Sequence, residues 1–456
     1  MSHTIEEKIN KIKAGEPVGT HSLYYKGEKR NLDVYEVPTS LLRFNYVNGR
    51  IGTEVREFER GSGTNLDQLG PHEINDKIHD WIWKKSEREN KETLIDIRDK
   101  RQIIPGVITR DGIVVDGNRR FMIARKLNKE GLNRQFLTVI LDDTYVDGGD
   151  NELQIKKLET ELQLGQDEKV KYGAIEKYMK IMDFVDKYIE VKSPKMKYQE
   201  LVRLMRIKDE KTVREKYRIG KIMLEFLDYV GFPEMFSRLQ NTEDLFIQLE
   251  KNYRLYTNQK GSASWDFTDD NAEDYKTCGF DLIRWNYNAS KDKKGDWEAK
   301  KLKNKYFKNS KNKTIFSNQK IWTDFNRTLE KVEDIDVPVL EDIVEKEGIS
   351  EADAAKKIDR IWADKTSPIF REALGTAESR IRDKENNDQP EKFISDALNK
   401  LENLINEDLF EFTGNIEFDE SIIKILQDSH GDRRKTILSN INNVRKIAER
   451  LKKELD

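Results

Sequence analysis

The alternation of hydrophobic and polar positions is clearest between residues 106 and 127, GVITRDGIVVDGNRRFMIARKL. Two β-branched runs flank Asp111-Gly112, a pair that favours the tight turn of a β-hairpin. From Arg119 onward, the hydrophobic residues follow helical spacing. The pattern therefore predicts a hairpin whose second strand passes through a glycine-bearing turn, residues 116–118, into a helix.

Further elements are predicted on both sides of this stretch. The patterns at 32–37 and 136–141 indicate strands, and helical spacing occurs at 72–84 and again at 94–97. Residues 53–70 are polar and contain several glycines, so we expect a loop there. This succession predicts a small α+β domain with a mixed sheet.

The rest of the chain is predicted to be mainly helical. Residues 155–181 show helical faces on either side of a break at Gly165, and residues 197–231 contain two short helices, 198–205 and 212–219. At 435–455, hydrophobic residues alternate at spacings of 4 and 3, as in a short coiled coil or one helix of a C-terminal bundle.

Two other segments bear on domain organisation. Residues 261–313 mix aromatic side chains with lysines, which fits either a small aromatic core with a solvated lysine-rich loop or a surface that stacks on nucleic acid. Residues 383–390, DKENNDQP, are predicted to be a linker. The predicted domains are an α+β domain at residues 1–150, a helical linker with a helix-turn-helix at 151–240, an aromatic-rich middle domain at 241–385 and a C-terminal helical domain at 386–456.

Composition limits the chemistry. The 456 residues carry a formal net charge of −3, so nucleic-acid binding would need a local basic face. Cys278 is the only cysteine, which excludes an intramolecular disulfide and a cysteine zinc site. The sequence has no apolar run of membrane-spanning length and no secretory signal at its start, and we therefore expect a cytoplasmic protein without a membrane partner.

The turn at residues 116–118 is the first candidate site. It delivers Arg119 and Arg120 to the first turn of a helix, where backbone N–H groups lack intrahelical partners and the helix dipole is positive. Such a position suits a phosphate or a carboxylate. A surface turn with solvated arginines is an equally acceptable interpretation of the local pattern.

The stretch Gly117-Asn118-Arg119-Arg120 resembles the central Gly-x-Arg-Arg turn of the ParB/sulfiredoxin superfamily. The resemblance covers about residues 30–235. It implies that Gly117, Asn118, Arg119 and Arg120 bind the phosphates of a nucleoside triphosphate, CTP or ATP, and that Arg50, in the loop that follows the first predicted strand, is a further phosphate ligand. The superfamily's peroxiredoxin-repair enzymes need a cysteine in the turn, where this chain has Asn118.

The same resemblance implies a magnesium site. The sequence Glu161-Leu162-Gln163 is similar to the Glu-Asn-x-Gln element of the superfamily, which makes Glu159 and Glu161 the candidate metal ligands. Mg²⁺ usually takes one or two carboxylates together with phosphate oxygens and water. The alternative is that both are solvated helix carboxylates.

The helix pair at 198–219 follows the N-terminal domain, as the helix-turn-helix does in ParB proteins. Its second helix would expose mostly basic residues, which suit DNA phosphates. The predicted DNA-contacting residues are Lys211, Thr212, Arg214, Lys216 and Arg218. An ordinary helical hairpin is the alternative.

The leading functional hypothesis is thus a ParB-like, homodimeric DNA-binding protein whose N-terminal domain binds a nucleoside triphosphate with Mg²⁺ and controls DNA engagement, in a plasmid, phage or phage-defence system. Catalysis would be slow nucleotide hydrolysis at most, since the sequence offers no dedicated base. The first alternative is a nuclease or phosphotransferase on the same scaffold, with Asp111 and Asp116 as the nearest carboxylates. The second is a non-enzymatic partner subunit of a multi-protein defence complex, which binds other proteins through its C-terminal helical half.

Overall fold

The structure is a computed structural model that describes residues 4–46, 51–145, 150–165, 173–258, 265–289, 306–307 and 314–402, together with Lys446 and Lys453. The chain divides into two units, Met1–Gly375 and Thr376–Asp456. All side-chain contacts considered below lie within the first unit.

An N-terminal mixed sheet of six strands is followed by a mainly helical region. The strand order is β1-β2-β6-β4-β5-β3, in which the β3–β5 and β4–β6 pairs are parallel and the other pairs are antiparallel. The strands are β1 Gly19–Tyr25, β2 Glu28–Pro38, β3 Arg43–Phe44, β4 Gly106–Ile108, β5 Ile113–Asp116 and β6 Gln135–Ile140.

Helices pack on both faces of the sheet and make up most of the rest of the described chain. Those of the N-terminal region are α1 Ile5–Lys13, α2 Gly52–Ser62, α3 Pro71–Lys85, α4 Glu87–Lys100, α5 Asn118–Lys129 and α6 Asp150–Gly165. They are followed by α7 Ala174–Phe184, α8 Tyr198–Leu204, α9 Glu210–Tyr229, α10 Glu243–Thr257, α11 Asp269–Ala289, α12 Gln319–Glu333, α13 Leu340–Glu347 and α14 Glu351–Glu402.

The sheet has a hydrophobic core on each face, because successive strand residues point in opposite directions. Val114 packs in the core that contains Phe121 of α5 and residues of α3 and α4. Its neighbour Val115 packs in the other core, with Ile155 and Leu158 of α6. Helices α5 and α6 are therefore held on opposite faces of the same strand.

The hairpin and the helix that follows it confirm the central prediction. Gly112 adopts φ +85° in the β4–β5 turn, where an added Cβ would lie 2.5 Å from the carbonyl oxygen of Leu41. Gly117 adopts φ +90° between β5 and α5, in the left-handed region that glycine occupies without a steric penalty. Both positions of the chain thus require glycine for a local geometric reason.

The helical region has its own aromatic core. Tyr275 of α11 is fully buried and stacks on Tyr306 with 4.7 Å between ring centroids. Tyr256, Phe316 and Trp322 complete the cluster. The described aromatic residues of the 261–313 segment therefore form a core, whereas the lysines at 291–305 lie outside the described residues.

Three predictions about secondary structure were wrong, and one strand was missed. Residues 53–70 are not a loop, since most of the segment forms α2, and β1 was not predicted at all. The segment 383–390 is not an irregular linker but part of α14, and the second helix of the predicted helix-turn-helix extends to Tyr229 instead of ending at residue 219. The coiled-coil seam predicted at 435–455 lies outside the described residues.

Among the residues that were described, no helix is long and apolar enough to cross a membrane.

Candidate phosphate-binding turn and its surroundings

The turn between β5 and α5 is the centre of the candidate site. Gly117 is the residue before the helix, and no side chain caps the first turn of α5. The first N–H groups of a helix have no intrahelical acceptor, so this end attracts anions. An added Cβ at Gly117 would lie 3.0 Å from Nη2 of Arg120 and 3.2 Å from Cζ of Phe136.

Arg120 is held by the strand that precedes the turn. Its Nη2 donates to Oδ2 of Asp116 at 2.8 Å, and the two side chains are 18% and 7% exposed. Oδ1 of Asn118 and Nε of Arg120 are both buried without a hydrogen-bond partner. Buried polar atoms normally have partners, and these two lie on the residues that begin α5.

The parallel pairing of β3 with β5 brings a second segment to the turn. Arg43 is in register with Ile113 and Phe44 with Val114, so both strands leave the sheet by the same edge. Asn45 follows β3 at this edge and is buried. Its Nδ2 donates to Oε2 of Glu159 on α6 at 3.2 Å. The fold thus joins the edge that carries the turn to a carboxylate that lies 114 residues away along the chain.

Glu159 lies between the sheet edge and a cavity. Its side chain is 2% exposed, and Nζ of Lys180 on α7 lies 3.6 Å from its Oε1. Lys180 also donates to Oε1 of Gln163 at 3.4 Å. Glu159 and Lys180 line a cavity of about 240 Å³, together with residues of α2, Tyr46 and Phe236.

Glu161 occupies a different place. It lines a cleft between the β1–β2 turn, α6 and α8, and burial raises the pKa of its carboxyl group, which Lys157 and Arg206 counteract. Residues two positions apart on a helix face different directions, so Glu159 and Glu161 do not converge. Within the described ranges, no group of three or more His, Cys, Asp or Glu side chains could hold a metal ion.

Two residues of the site were not found from the sequence. Lys180, beside Glu159, gave no signal in the sequence because one lysine on an amphipathic helix is common. His21 of β1 is close enough for Arg120 and Asp116 to act on it: burial lowers the pKa of its imidazole, Arg120 lowers it further and Asp116 raises it.

Of the predicted phosphate ligands, Arg50 lies outside the described residues, and Arg119 is half-buried in the first turn of α5.

The helix pair α8–α9 is present, but most of its predicted DNA-contacting residues have partners within the protein. Thr212 donates both its N–H and its hydroxyl to Asp209, the N-cap of α9. Arg214 pairs with Glu210 at 2.8 Å and lies over the ring of Tyr198. Arg218 donates to the buried Glu250 at 2.6 Å, and Lys216 lies over the ring of Tyr178. The last predicted DNA-contacting residue, Lys211, is exposed.

No protein-family model, curated protein or solved structure matches this chain. The site must therefore be interpreted from its own geometry.

Proposed function

We propose that the N-terminal domain binds the phosphates of a nucleoside triphosphate at the first turn of α5, and that the protein uses this nucleotide to control its engagement with DNA. The observation that carries the proposal is the convergence at one sheet edge. Strand β3 lies beside β5, which leads into the Gly117 turn. Asn45 follows β3 and is hydrogen-bonded to Glu159 of α6. The three segments come from distant parts of the sequence.

The first turn of α5 suits a phosphate for several independent reasons. The helix end attracts anions, Arg119 and Arg120 follow the turn, and Gly117 leaves no side chain over it. Asn118 and Arg120 also contain buried polar atoms that lack partners in the protein. An incoming phosphate oxygen would accept from Nε of Arg120, and a ribose or phosphate hydroxyl could donate to Oδ1 of Asn118.

Glu159 fits a magnesium ion as one ligand. Mg²⁺ bound with a nucleotide needs only one or two protein carboxylates, because phosphate oxygens and waters fill the other positions. Glu159 is an oxygen donor next to the edge that carries the turn; Asn45 donates to its Oε2, and the ion would take the place of Lys180 beside its Oε1. Glu161 faces another cleft and does not fit the same ion. When bound, the metal would neutralise phosphate charge.

The DNA-binding and homodimeric parts of the proposal rest on the resemblance to ParB and on the order of the two regions. The described helix pair α8–α9 follows the N-terminal domain, as that resemblance implies. We expect nucleotide turnover to be slow or absent. CTP and ATP are the first nucleotides to test.

A nuclease on the same scaffold is a weaker proposal. It would need a free carboxylate near the arginines, and Asp116 is already paired with Arg120. Asp111 accepts from the N–H of Tyr145 at 3.1 Å and stabilises the opposite end of the hairpin. Both carboxylates therefore already make contacts within the protein, and a metal ion or substrate would have to compete with these contacts.

The experiment that tests the proposal is equilibrium binding of ATP, CTP, GTP and UTP with Mg²⁺, with phosphate release followed in parallel. Arg119→Ala and Glu159→Gln are the test variants. Arg110→Ala is the matched control, because Arg110 lies in the hairpin turn at the other end of β5 and pairs with Glu6 at 2.8 Å.

We expect one triphosphate to bind the wild-type protein and Arg110→Ala equally. Arg119→Ala should weaken that binding at least tenfold, and Glu159→Gln should remove its dependence on Mg²⁺. Equal binding by wild type and Arg119→Ala would contradict the assignment of the turn, and no binding of any triphosphate would contradict the proposed function.

A further inference from the structure

The turn between α8 and α9 carries a cluster of exposed cations. Arg203 lies in the last turn of α8, Arg206 and Lys208 lie between the helices, and Lys211 is in the first turn of α9; all four side chains are exposed. We call these four residues the turn surface. Only Lys211 among them belongs to the DNA-contacting set predicted from the sequence.

The acidic residues around the turn surface are already engaged. Glu200 pairs with Lys157 at 2.9 Å, and Asp209 caps α9 by accepting from the N–H of Thr212 at 2.8 Å. Glu210 pairs with Arg214 at 2.8 Å. Glu161 lies near enough for Arg206 to lower the pKa of its carboxyl group, but in the described part of the chain none of the four cations of the turn surface has a carboxylate within ion-pair distance. Their charge is therefore available to an external anion.

On the exposed face of α9, by contrast, the arginines already have carboxylate partners. Arg214 is held by Glu210 and Glu190 and lies 3.8 Å from the ring centroid of Tyr198. Arg218 is held by Glu250, whose side chain is 3% exposed. An external phosphate would have to displace these carboxylates. The basic charge that can reach a phosphate without rearrangement therefore lies at the turn and the start of α9, whereas Lys216, farther along the helix, is half-buried over the ring of Tyr178.

The backbone at Arg206 is a second, independent observation. Arg206 adopts φ +52°, in the left-handed region, while its N–H donates to the carbonyl of Arg203 and the next N–H, of Ile207, donates to the carbonyl of Val202. This is the helix ending at which glycine is the favoured residue. An arginine there is strained, and strain of this kind is commonly found where a side chain has a functional role.

We propose that the turn surface is the phosphate-contacting surface of the helix pair, and that its partner is the backbone of double-stranded DNA. This inference rests on the proposed DNA engagement and names the residues that carry it. Contacts of exposed lysines and arginines with phosphates release counterions, so they give affinity that depends on salt and not on base sequence. The positive end of the α9 dipole adds to the attraction.

The test compares two double variants of the full chain. Lys208→Gln/Lys211→Gln removes two cations of the turn surface, and Arg214→Gln/Lys216→Gln is the matched control on α9. Binding to a fluorescent 30-base-pair duplex is measured by anisotropy between 50 and 200 mM KCl, without nucleotide. Circular dichroism melting checks the fold of each variant, and nucleotide binding is measured on the same samples.

We expect the turn variant to reduce the magnitude of the negative slope of log K against log salt by about 2 and to weaken binding at 0.1 M salt by roughly 50-fold. The α9 variant should change the slope by less than about 1. The reverse order would overturn the inference, as would failure of the wild type to bind the duplex. Tighter binding to RNA or to vesicles containing phosphatidylserine than to the duplex would overturn it as well.

Arg206→Gly gives a test with opposite signs for stability and binding. Glycine relieves the strained backbone, so the melting temperature should be unchanged or higher, while duplex affinity falls roughly five- to tenfold at 0.1 M salt. Asn133→Gly is the control, since Asn133 is exposed with φ +44° and carries no charge. Equal duplex affinity of Arg206→Gly and wild type would contradict the proposal.

The nucleotide measurement separates this inference from the proposed function. If wild type binds no triphosphate but the two double variants still differ in salt slope, the turn surface is supported and the nucleotide site is wrong. If wild type binds a triphosphate and both double variants bind the duplex as wild type does, the nucleotide site stands and the turn surface is wrong.

Discussion

Two regions of the molecule pair arginine with aspartate, in very different surroundings. At the sheet edge, Arg120 pairs with Asp116 beside a helix end, and the arginine is 18% exposed. In the helical region, Asp359 contacts Arg238 and accepts from Nε of Arg284 at 2.9 Å, and all three side chains are at most 10% exposed. Arg284 also lies 4.4 Å from the ring centroid of Trp362.

The difference separates a structural ion pair from one that can exchange partners. Around Asp359, both arginines contact its carboxylate, Asp281 lies near Arg284, and all three side chains of the cluster are almost completely buried, so the cluster is closed to an external anion. Around Asp116, the second partner of the arginine is missing: Nε of Arg120 is buried without an acceptor. A half-buried arginine whose Nε–H has no acceptor in the protein can donate it to an oxyanion such as phosphate.

The largest expected effect is on the enclosed cluster. Asp359→Ala leaves two buried guanidinium groups without their carboxylate, which typically costs about 3–5 kcal/mol. Urea unfolding followed by tryptophan fluorescence should show this loss, whereas nucleotide affinity of the folded protein should stay unchanged. A loss of less than about 1 kcal/mol would mean that the two clusters do not differ in the way described.

The next effect is on the pH dependence of stability. Burial raises the pKa of Asp281 to about 7, although the hydrogen bond from Tyr229 and the nearby Arg284 act in the opposite direction. The native state therefore holds a proton that the unfolded chain releases near pH 4, and stability falls as the pH rises from about 4 to 7. The upper limit of this change is about 4 kcal/mol.

Asp281→Asn should remove this slope. The variant should be more stable than wild type at pH 8 and similar to it at pH 4, when unfolding is measured at both values. An Asp281→Asn profile parallel to that of wild type would contradict the assignment of the slope to Asp281.

A smaller effect is expected at the sheet edge. Gly117→Ala places a Cβ 3.0 Å from Nη2 of Arg120 at φ +90°, and left-handed backbone costs a non-glycine residue about 1–2 kcal/mol. We expect that loss of stability together with a loss of nucleotide binding that exceeds it, because the arginine is displaced. Gly131→Ala is the control, as Gly131 also has φ +90° but nothing lies within 4 Å of an added Cβ.

Local chemistry explains which parts of the fold could be predicted from the sequence. The β4–β5 hairpin, Gly117 and α5 follow from β-branched runs, glycine positions and helical spacing that lie within 25 residues. The first strand was missed because residues 19–25, GTHSLYY, show little alternation. Helix α2 was missed because Gly52, Gly61 and Ser62 lower helix propensity, which tertiary packing overrides.

The site itself depended on information that the sequence does not display. Nothing local indicates that Asn45 bonds Glu159 or that Lys180 lies beside it, because these contacts arise from the parallel register of β3 and from helix packing. The partners of Arg214 and Arg218 explain why a basic helix face need not be a binding face.

The smallest expected effect, and the most informative about the comparison, comes from Asp116→Asn. The amide can still accept from Nη2 of Arg120, so stability should change little, while the guanidinium loses its competing negative charge. Triphosphate affinity should therefore rise, by roughly tenfold or less. The pKa of His21 reports the same change by NMR: it should fall, because Arg120 lowers it and the charge of Asp116 that raises it is gone. If triphosphate binding is instead lost while the pKa of His21 falls as expected, Asp116 is itself a ligand, and a carboxylate-dependent chemistry at this turn becomes the better explanation.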